Sequence, residues 1–124
     1  MILLSAKVFI RMGKIMAAKS NDRVIVTAQL MFLVERLRQI NGYNVVREYA
    51  DGRGGAIFEL THDISFASWG ENIKMDLYPC NEQQTVVEII SECALPTQMI
   101  DWGRNKTNVN EILTYLLSGL MVQR

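Results

Sequence analysis

Between Tyr43 and Cys93 apolar side chains recur at every second position, and on either side of that stretch they recur at helical spacing. Tyr43, Val45 and Tyr49 alternate with Asn44 and Glu48, the run Asp51-Gly52-Arg53-Gly54-Gly55 interrupts, and Ala56, Phe58 and Leu60 resume. Alternation on both sides of a glycine-rich break predicts a β-hairpin, since successive strand side chains point to opposite faces. Ile64 and Phe66 lead to Trp69-Gly70-Glu71-Asn72, a second predicted turn, after which Ile73, Met75 and Leu77 face one way and Lys74 and Asp76 the other. A third hairpin turns at Asn81 to Gln84 and returns through Val87, Ile89, Ser91 and Cys93. Pairing numbers that sum to about 165 set Cys93 opposite Asn72, far from Cys80, so the two cysteines are expected as free thiols. Pro96 cannot donate to a ladder and ends the strand.

Before this region, the β-branched run Arg23-Val-Ile-Val-Thr27 predicts a short strand. Leu30, Leu33, Val34, Leu37 and Ile40 then recur as one helical stripe, with Thr27 placed to cap the helix and Gly42 placed to end it. After it, a final helix from about Asn105 presents Val109, Ile112, Leu113, Leu116, Leu117 and Leu120 along one face. The predicted fold is α+β: an antiparallel sheet of about five strands, with a helix after the first strand and a C-terminal helix packed on one face.

Residues 2–18 fit two templates. Leu4, Ala6, Val8, Ile10 and Met12 alternate as in a strand, whereas Leu4, Val8, Met12, Ile15 and Met16 form a helical stripe opposite Lys7, Arg11 and Lys14. The helical reading also accounts for Ile15 to Lys19 and is preferred. Residues 1–22 are thus expected to be a cationic amphipathic appendage to a single α+β domain, residues 23–124.

Composition narrows the function classes. A chain of 124 residues with 49% hydrophobic and 21% charged side chains can bury one core without metals or disulfides. The formal net charge is zero, which removes the electrostatic attraction typical of nucleic-acid binders, and no nucleic-acid partner is expected. The N-terminal part differs, because Lys7, Arg11, Lys14, Lys19 and Arg23 stand against Asp22 alone. No apolar run approaches the ~20 residues that cross a bilayer, and the same cations break up any signal-peptide core, so a cytoplasmic location is expected.

Catalytic constellations are absent from the pattern. His62 is the sole histidine, and neighbouring Asp63 would point to the opposite strand face, so His62 is expected to be structural or solvated. One histidine and two separated cysteines predict no metal site, and Gly52 to Gly55 lacks the Lys-Ser/Thr ending of a phosphate loop. Glu71, Asp76, Asp101 and Glu111 show no spacing that pairs two as acid and base, and no cation near Cys80 lowers its thiol pKa. No cofactor and no catalytic residue are predicted, and an enzyme is the less favoured class.

One local echo stands out: Ser68-Trp69-Gly70-Glu71-Asn72 and Asp101-Trp102-Gly103-Arg104-Asn105. An indole is costly to expose and its N–H needs an acceptor, so each tryptophan is expected to anchor an element boundary. Trp69, Glu71, Gln98, Asp101, Trp102, Arg104 and Asn105 together mix aromatic surface with donors and acceptors at one end of the sheet, and form the candidate ligand site.

The run from Leu95 to Val109, with Ser68-Trp-Gly-Glu71 before a strand, resembles small uncharacterised bacterial α+β proteins. Over roughly residues 24–120 the element order resembles the START-related helix-grip (polyketide-cyclase-like) superfamily. That resemblance implies a curved sheet gripping the C-terminal helix, with an apolar cavity between them in larger relatives; here Leu113, Leu116, Leu117, Phe58, Ile73 and Ile89 are expected to fill a smaller core. The first functional expectation is therefore a binding module for an apolar or amphipathic small molecule between sheet and C-terminal helix. The alternative is an interaction or peripheral membrane module, in which Lys7, Arg11 and Lys14 place residues 2–18 on anionic lipid or an acidic partner. Packing of that segment on its own domain, or on a second copy in a homodimer, is the remaining reading.

Overall fold

The computed structural model describes residues 19–62, 70–94 and 103–124. The expectations for residues 2–18, including Lys7, Arg11 and Lys14, and those for Trp69, Gln98, Asp101 and Trp102, lie outside the described residues. The elements are β1 (Lys19–Val26), α1 (Leu30–Arg38), β2 (Asn44–Ala50), β3 (Ala56–His62), β4 (Glu71–Pro79), β5 (Thr85–Cys93), α2 (Arg104–Leu116) and β6 (Val122–Gln123). The described strands form one antiparallel sheet in the order β2-β3-β4-β5-β1-β6.

The α+β architecture with an antiparallel sheet and two helices is as predicted. Among the described residues the sheet has six strands rather than about five. The addition is β6, which pairs Val122 and Gln123 with Val26 and Ile25. Two residues are too few to carry a visible alternation. β1 also starts earlier than predicted, at Lys19, because its whole length pairs with β5 from Lys19↔Glu92 to Val26↔Thr85.

Alternation decides the core. Val24 and Val26, Phe58 and Leu60, Ile73, Met75 and Leu77, and Val87 and Ile89 are buried on one side of the sheet. The helices cover that side with Leu33, Val34 and Leu37 of α1 and Val109, Ile112, Leu113 and Leu116 of α2, in one continuous cluster. Each such side chain contributes about 1.5–3 kcal/mol by leaving water. Arg36 ties the helices together: its Nη1 donates to the carbonyls of Leu116 and Ser118, and the Tyr115 hydroxyl donates to the carbonyl of Arg36.

Several local expectations are corrected. Gln29, in extended conformation, is the residue before α1, and Thr27 instead lies beside the C-terminal strand, its N–H donating to Met121 O. α1 ends at Arg38, with Gln39 as its C-cap, before Gly42. The β4–β5 numbers sum to 164, as in Met75↔Ile89, so Cys93 stands opposite Glu71 rather than Asn72. The parity follows from geometry: directly opposed residues share a face, and inward positions that are odd on both strands require an even sum. In β2 an irregularity between Val45 and Arg47 shifts the register, so Val45 opposes buried Leu60 whereas Tyr49 opposes Ile57 on the other face. One extra residue in a strand reverses the phase of everything beyond it. Glu71 and Asn72, expected in a turn, are the first residues of β4.

Cys80 is exposed after β4, Cys93 is buried at the far end of β5, and both are free. No helix among the described residues is long and apolar enough to cross a membrane.

Candidate functional site

At one end of the sheet the inward alternation continues but changes chemistry. After Phe58 and Leu60 the next inward residue of β3 is His62; before Ile73 on β4 it is Glu71; after Ile89 on β5 it is Ser91. On α2 the apolar stripe of Val109, Ile112 and Leu116 is preceded by Asn105 and Asn108. Each polar group thus sits in phase with the core, and Glu71, Ser91, Asn105 and Asn108 are all buried. Burial of this kind is tolerable only when every group finds partners.

The partners are found within the cluster. Glu71, whose side chain is 0% exposed, accepts at Oε1 from Asn108 Nδ2 at 2.8 Å. His62 Nδ1 lies 3.3 Å from the same oxygen and Arg104 Nε lies 3.7 Å from it. Arg104 Nη2 is 3.0 Å from His62 Nε2 and also contacts Nδ1. The His62 ring thus lies between the Glu71 carboxylate and the Arg104 guanidinium, and its tautomer sets which nitrogen donates and which accepts. Asn108 Nδ2 also approaches Ser91 Oγ at 3.3 Å; Ser91 Oγ donates to Asn105 Oδ1 at 2.7 Å, and Asn105 Nδ2 donates to Cys93 Sγ at 3.5 Å.

Tyr43, in the loop before β2, closes the cluster. Its ring packs tilted on His62 with centroids 4.8 Å apart, and its hydroxyl faces Glu111 Oε1 at 2.6 Å and Asn108 Oδ1 at 3.1 Å. Burial, then the bond to the Glu111 carboxylate, pushes the Tyr43 phenol well above its ordinary value of 10.0. A raised folded pKa contributes stability that is complete below pH 10.0 and is lost as pH rises beyond it. Tyr43→Phe is expected to cost about 1 kcal/mol at pH 7 and to flatten the alkaline fall of the melting temperature between pH 9 and about 11. Parallel thermal melts of the two proteins across that range check this, and identical slopes would show that the phenol does not titrate differently on folding.

Arg104 breaks two local rules. It opens α2, where the helix dipole disfavours a cation, and it is followed by Lys106 rather than by an acidic residue. The preceding Gly103, at φ 81°, offers no side-chain cap. The guanidinium is 23% exposed and the His62 ring 22%, so these groups, not Glu71, face the outside. Arg104 Nε is buried with no hydrogen-bond partner among the described residues.

Of the predicted site residues the structure brings together Glu71, Arg104 and Asn105. Sequence reasoning missed Tyr43, Ser91, Asn108 and Glu111, and it assigned His62 no ligand role. The available signal was the phase of the pattern. Asn108 lies one helical turn before Ile112, and His62 lies two residues after Leu60, so both occupy core positions. Among the described residues no three His, Cys, Asp or Glu side chains converge as a metal-binding group. No family model matches the chain, and no curated protein is detectably similar to it.

Proposed function

We propose that the domain is a binding module for a small molecule with an anionic head, a carboxylate or phosphate, taken at the N-terminal end of α2. The observation that carries this reading is Arg104: a half-buried cation at a helix N-terminus, placed against the dipole and held there by fully buried Glu71. The start of α2 is the positive end of the helix dipole, which favours an anion. Glu71 is occupied by Asn108 and His62, so its role is to orient the guanidinium, while Arg104, His62 and exposed Lys106 meet the ligand. An amphipathic acid suits this arrangement, its head at Arg104 and its apolar part along the adjoining sheet–helix seam.

The test compares decanoate, decanol and decylammonium by calorimetry and by thermal shift on the full chain. Decanoate is expected to bind at least tenfold more tightly than the other two, about 1.4 kcal/mol. Arg104→Gln should remove that preference, and Lys106→Gln, at an exposed position, should weaken binding two- to threefold without moving the melting temperature. Equal binding of alcohol and acid, or an Arg104→Gln protein that keeps the preference, would defeat the proposal.

A further inference from the structure

We infer that Asn41 is a site of spontaneous covalent modification: it deamidates through a succinimide ring closed with Gly42, and the isoaspartate that results loosens the seating of Tyr43. The site lies in the loop between α1 and β2 and does not depend on the anion-binding reading. Asn41-Gly42 is the one Asn-Gly pair in the sequence. Ring closure brings the Gly42 main-chain nitrogen onto the Asn41 side-chain carbonyl carbon, and a residue without a β-carbon obstructs that approach least.

Both reactants are open to solvent. Asn41 and Gly42 are exposed, Gly42 stands at φ 87°, and a β-carbon built there would meet nothing within 4 Å. Among the described residues no hydrogen bond occupies the Gly42 N–H or the Asn41 side chain, whereas the preceding N–H groups of Gln39 and Ile40 donate to the carbonyls of Arg36 and Leu37. A nitrogen that already donates must give up its bond before it can attack.

Other positions show what protection looks like. Asp51-Gly52 is the corresponding acidic pair, but Asp51 is 2% exposed and its Oδ1 accepts from the N–H groups of Arg53 at 2.7 Å and Gly55 at 2.9 Å. Asn105 and Asn108 are buried in the Glu71 cluster. The Asn81 amide is held at both ends, accepting from Gln83 N–H at 2.8 Å and donating to Gln84 Oε1 at 2.9 Å. Asn72 is fixed in a strand paired on both sides.

The reaction balances with water as the only co-reactant. The deprotonated Gly42 nitrogen bonds to Asn41 Cγ, the Cγ–Nδ2 bond breaks, and ammonia leaves. Water then opens the ring at either carbonyl. Opening at Cγ gives an ordinary aspartate, whereas opening at the main-chain carbonyl routes the chain through Cγ, adds a methylene to the backbone and frees an α-carboxylate. The added methylene lies two residues before Tyr43, whose ring and hydroxyl are fixed by His62 and by Glu111. The loop from the Gln39 cap to the start of β2 at Asn44 is too short to absorb it without moving that ring.

The experiment incubates the full chain at pH 8 and 37 °C and follows its tryptic peptides by mass. The peptide of residues 39–47 should gain the mass of an NH2-to-OH exchange before any other asparagine peptide, with fragmentation placing the change on Asn41 rather than Asn44. Gly42→Ala should slow the reaction roughly tenfold or more. Because the fold hides nothing at this loop, the rate at Asn41 in guanidinium chloride should lie within about threefold of the folded rate. The isoaspartate form, separated by ion exchange, should melt a few degrees below Asn41→Asp, which carries the same charge on an unaltered backbone. Earlier reaction at another asparagine, an unchanged rate in Gly42→Ala, a folded rate more than about threefold below the unfolded one, or equal melting of the isoaspartate form and Asn41→Asp would each overturn the inference.

Discussion

Glu71→Ala is expected to lower the unfolding free energy by about 3–5 kcal/mol, the range for breaking a buried ion pair from one side. The substitution removes the acceptor of Asn108 Nδ2 and the counter-charge of half-buried Arg104, and leaves His62 Nδ1 without its carboxylate. Asn108, fully buried, cannot reach water without disturbing the packing of α2 on the sheet. Glu71→Gln keeps the shape and one acceptor, so its loss should fall nearer 2 kcal/mol. Replacing Glu71, Arg104 and Asn108 together by apolar residues of similar volume should cost less than Glu71→Ala alone, because no charge is then stranded. Urea unfolding at pH 7 measures all three. A loss below about 1 kcal/mol for Glu71→Ala would mean that the cluster reorganises freely, and Arg104 would then lose its fixed position.

Gly55→Ala is expected to destabilise the fold by about 3 kcal/mol, and more than Gly54→Ala. The ranking runs against what backbone angles suggest. Gly54 has φ 87°, where an L side chain costs about 1 kcal/mol, yet a β-carbon there meets nothing within 4 Å. At Gly55 a β-carbon would come within 2.5 Å of Leu77 O and 2.9 Å of Tyr78 Cβ. The carbonyl belongs to a central strand paired on both sides and cannot give way. Comparing the melting temperatures of the two alanine variants decides the point, and the reverse order would mean that the hairpin shifts bodily to admit the methyl group.

The contrast between these glycines also shows what the chain discloses unaided. Strand and helix identities follow from period alone, since Phe58-Leu60 and Val109-Ile112-Leu116 leave little choice of face. Relationships between elements are less accessible. The extra residue at Val46 breaks the alternation that Val45 and Tyr49 share in the sequence, and nothing in Asn44 to Ala50 announces a bulge. The register of β4 on β5 depends on how Asn81 and Gln84 close their turn, where Asn81 Oδ1 accepts from Gln83 N–H, and a local bond of that kind leaves no periodic trace. For the polar cluster, Glu71, Arg104 and Asn105 were found through the Trp-Gly echo. Asn108 and Ser91 could have been found through phase, as polar residues in apolar positions. Tyr43 and Glu111 could not, because their meeting joins a loop to a helix 68 residues further along the chain.

The bulge in β2 bears on how this protein behaves at high concentration. Every open sheet has two margins where backbone groups invite another chain, and a flat margin is where aggregation begins. On one margin the β2 irregularity, beside exposed Val45 and Val46, spoils the regular spacing an incoming strand must match. On the other, among the described residues, β6 pairs with Ile25 and Val26, while β1 opens with Lys-Ser-Asn-Asp-Arg and Arg124 folds back onto Asp22. Among the described residues, irregular backbone thus interrupts pairing on one flank and charge does so on the other.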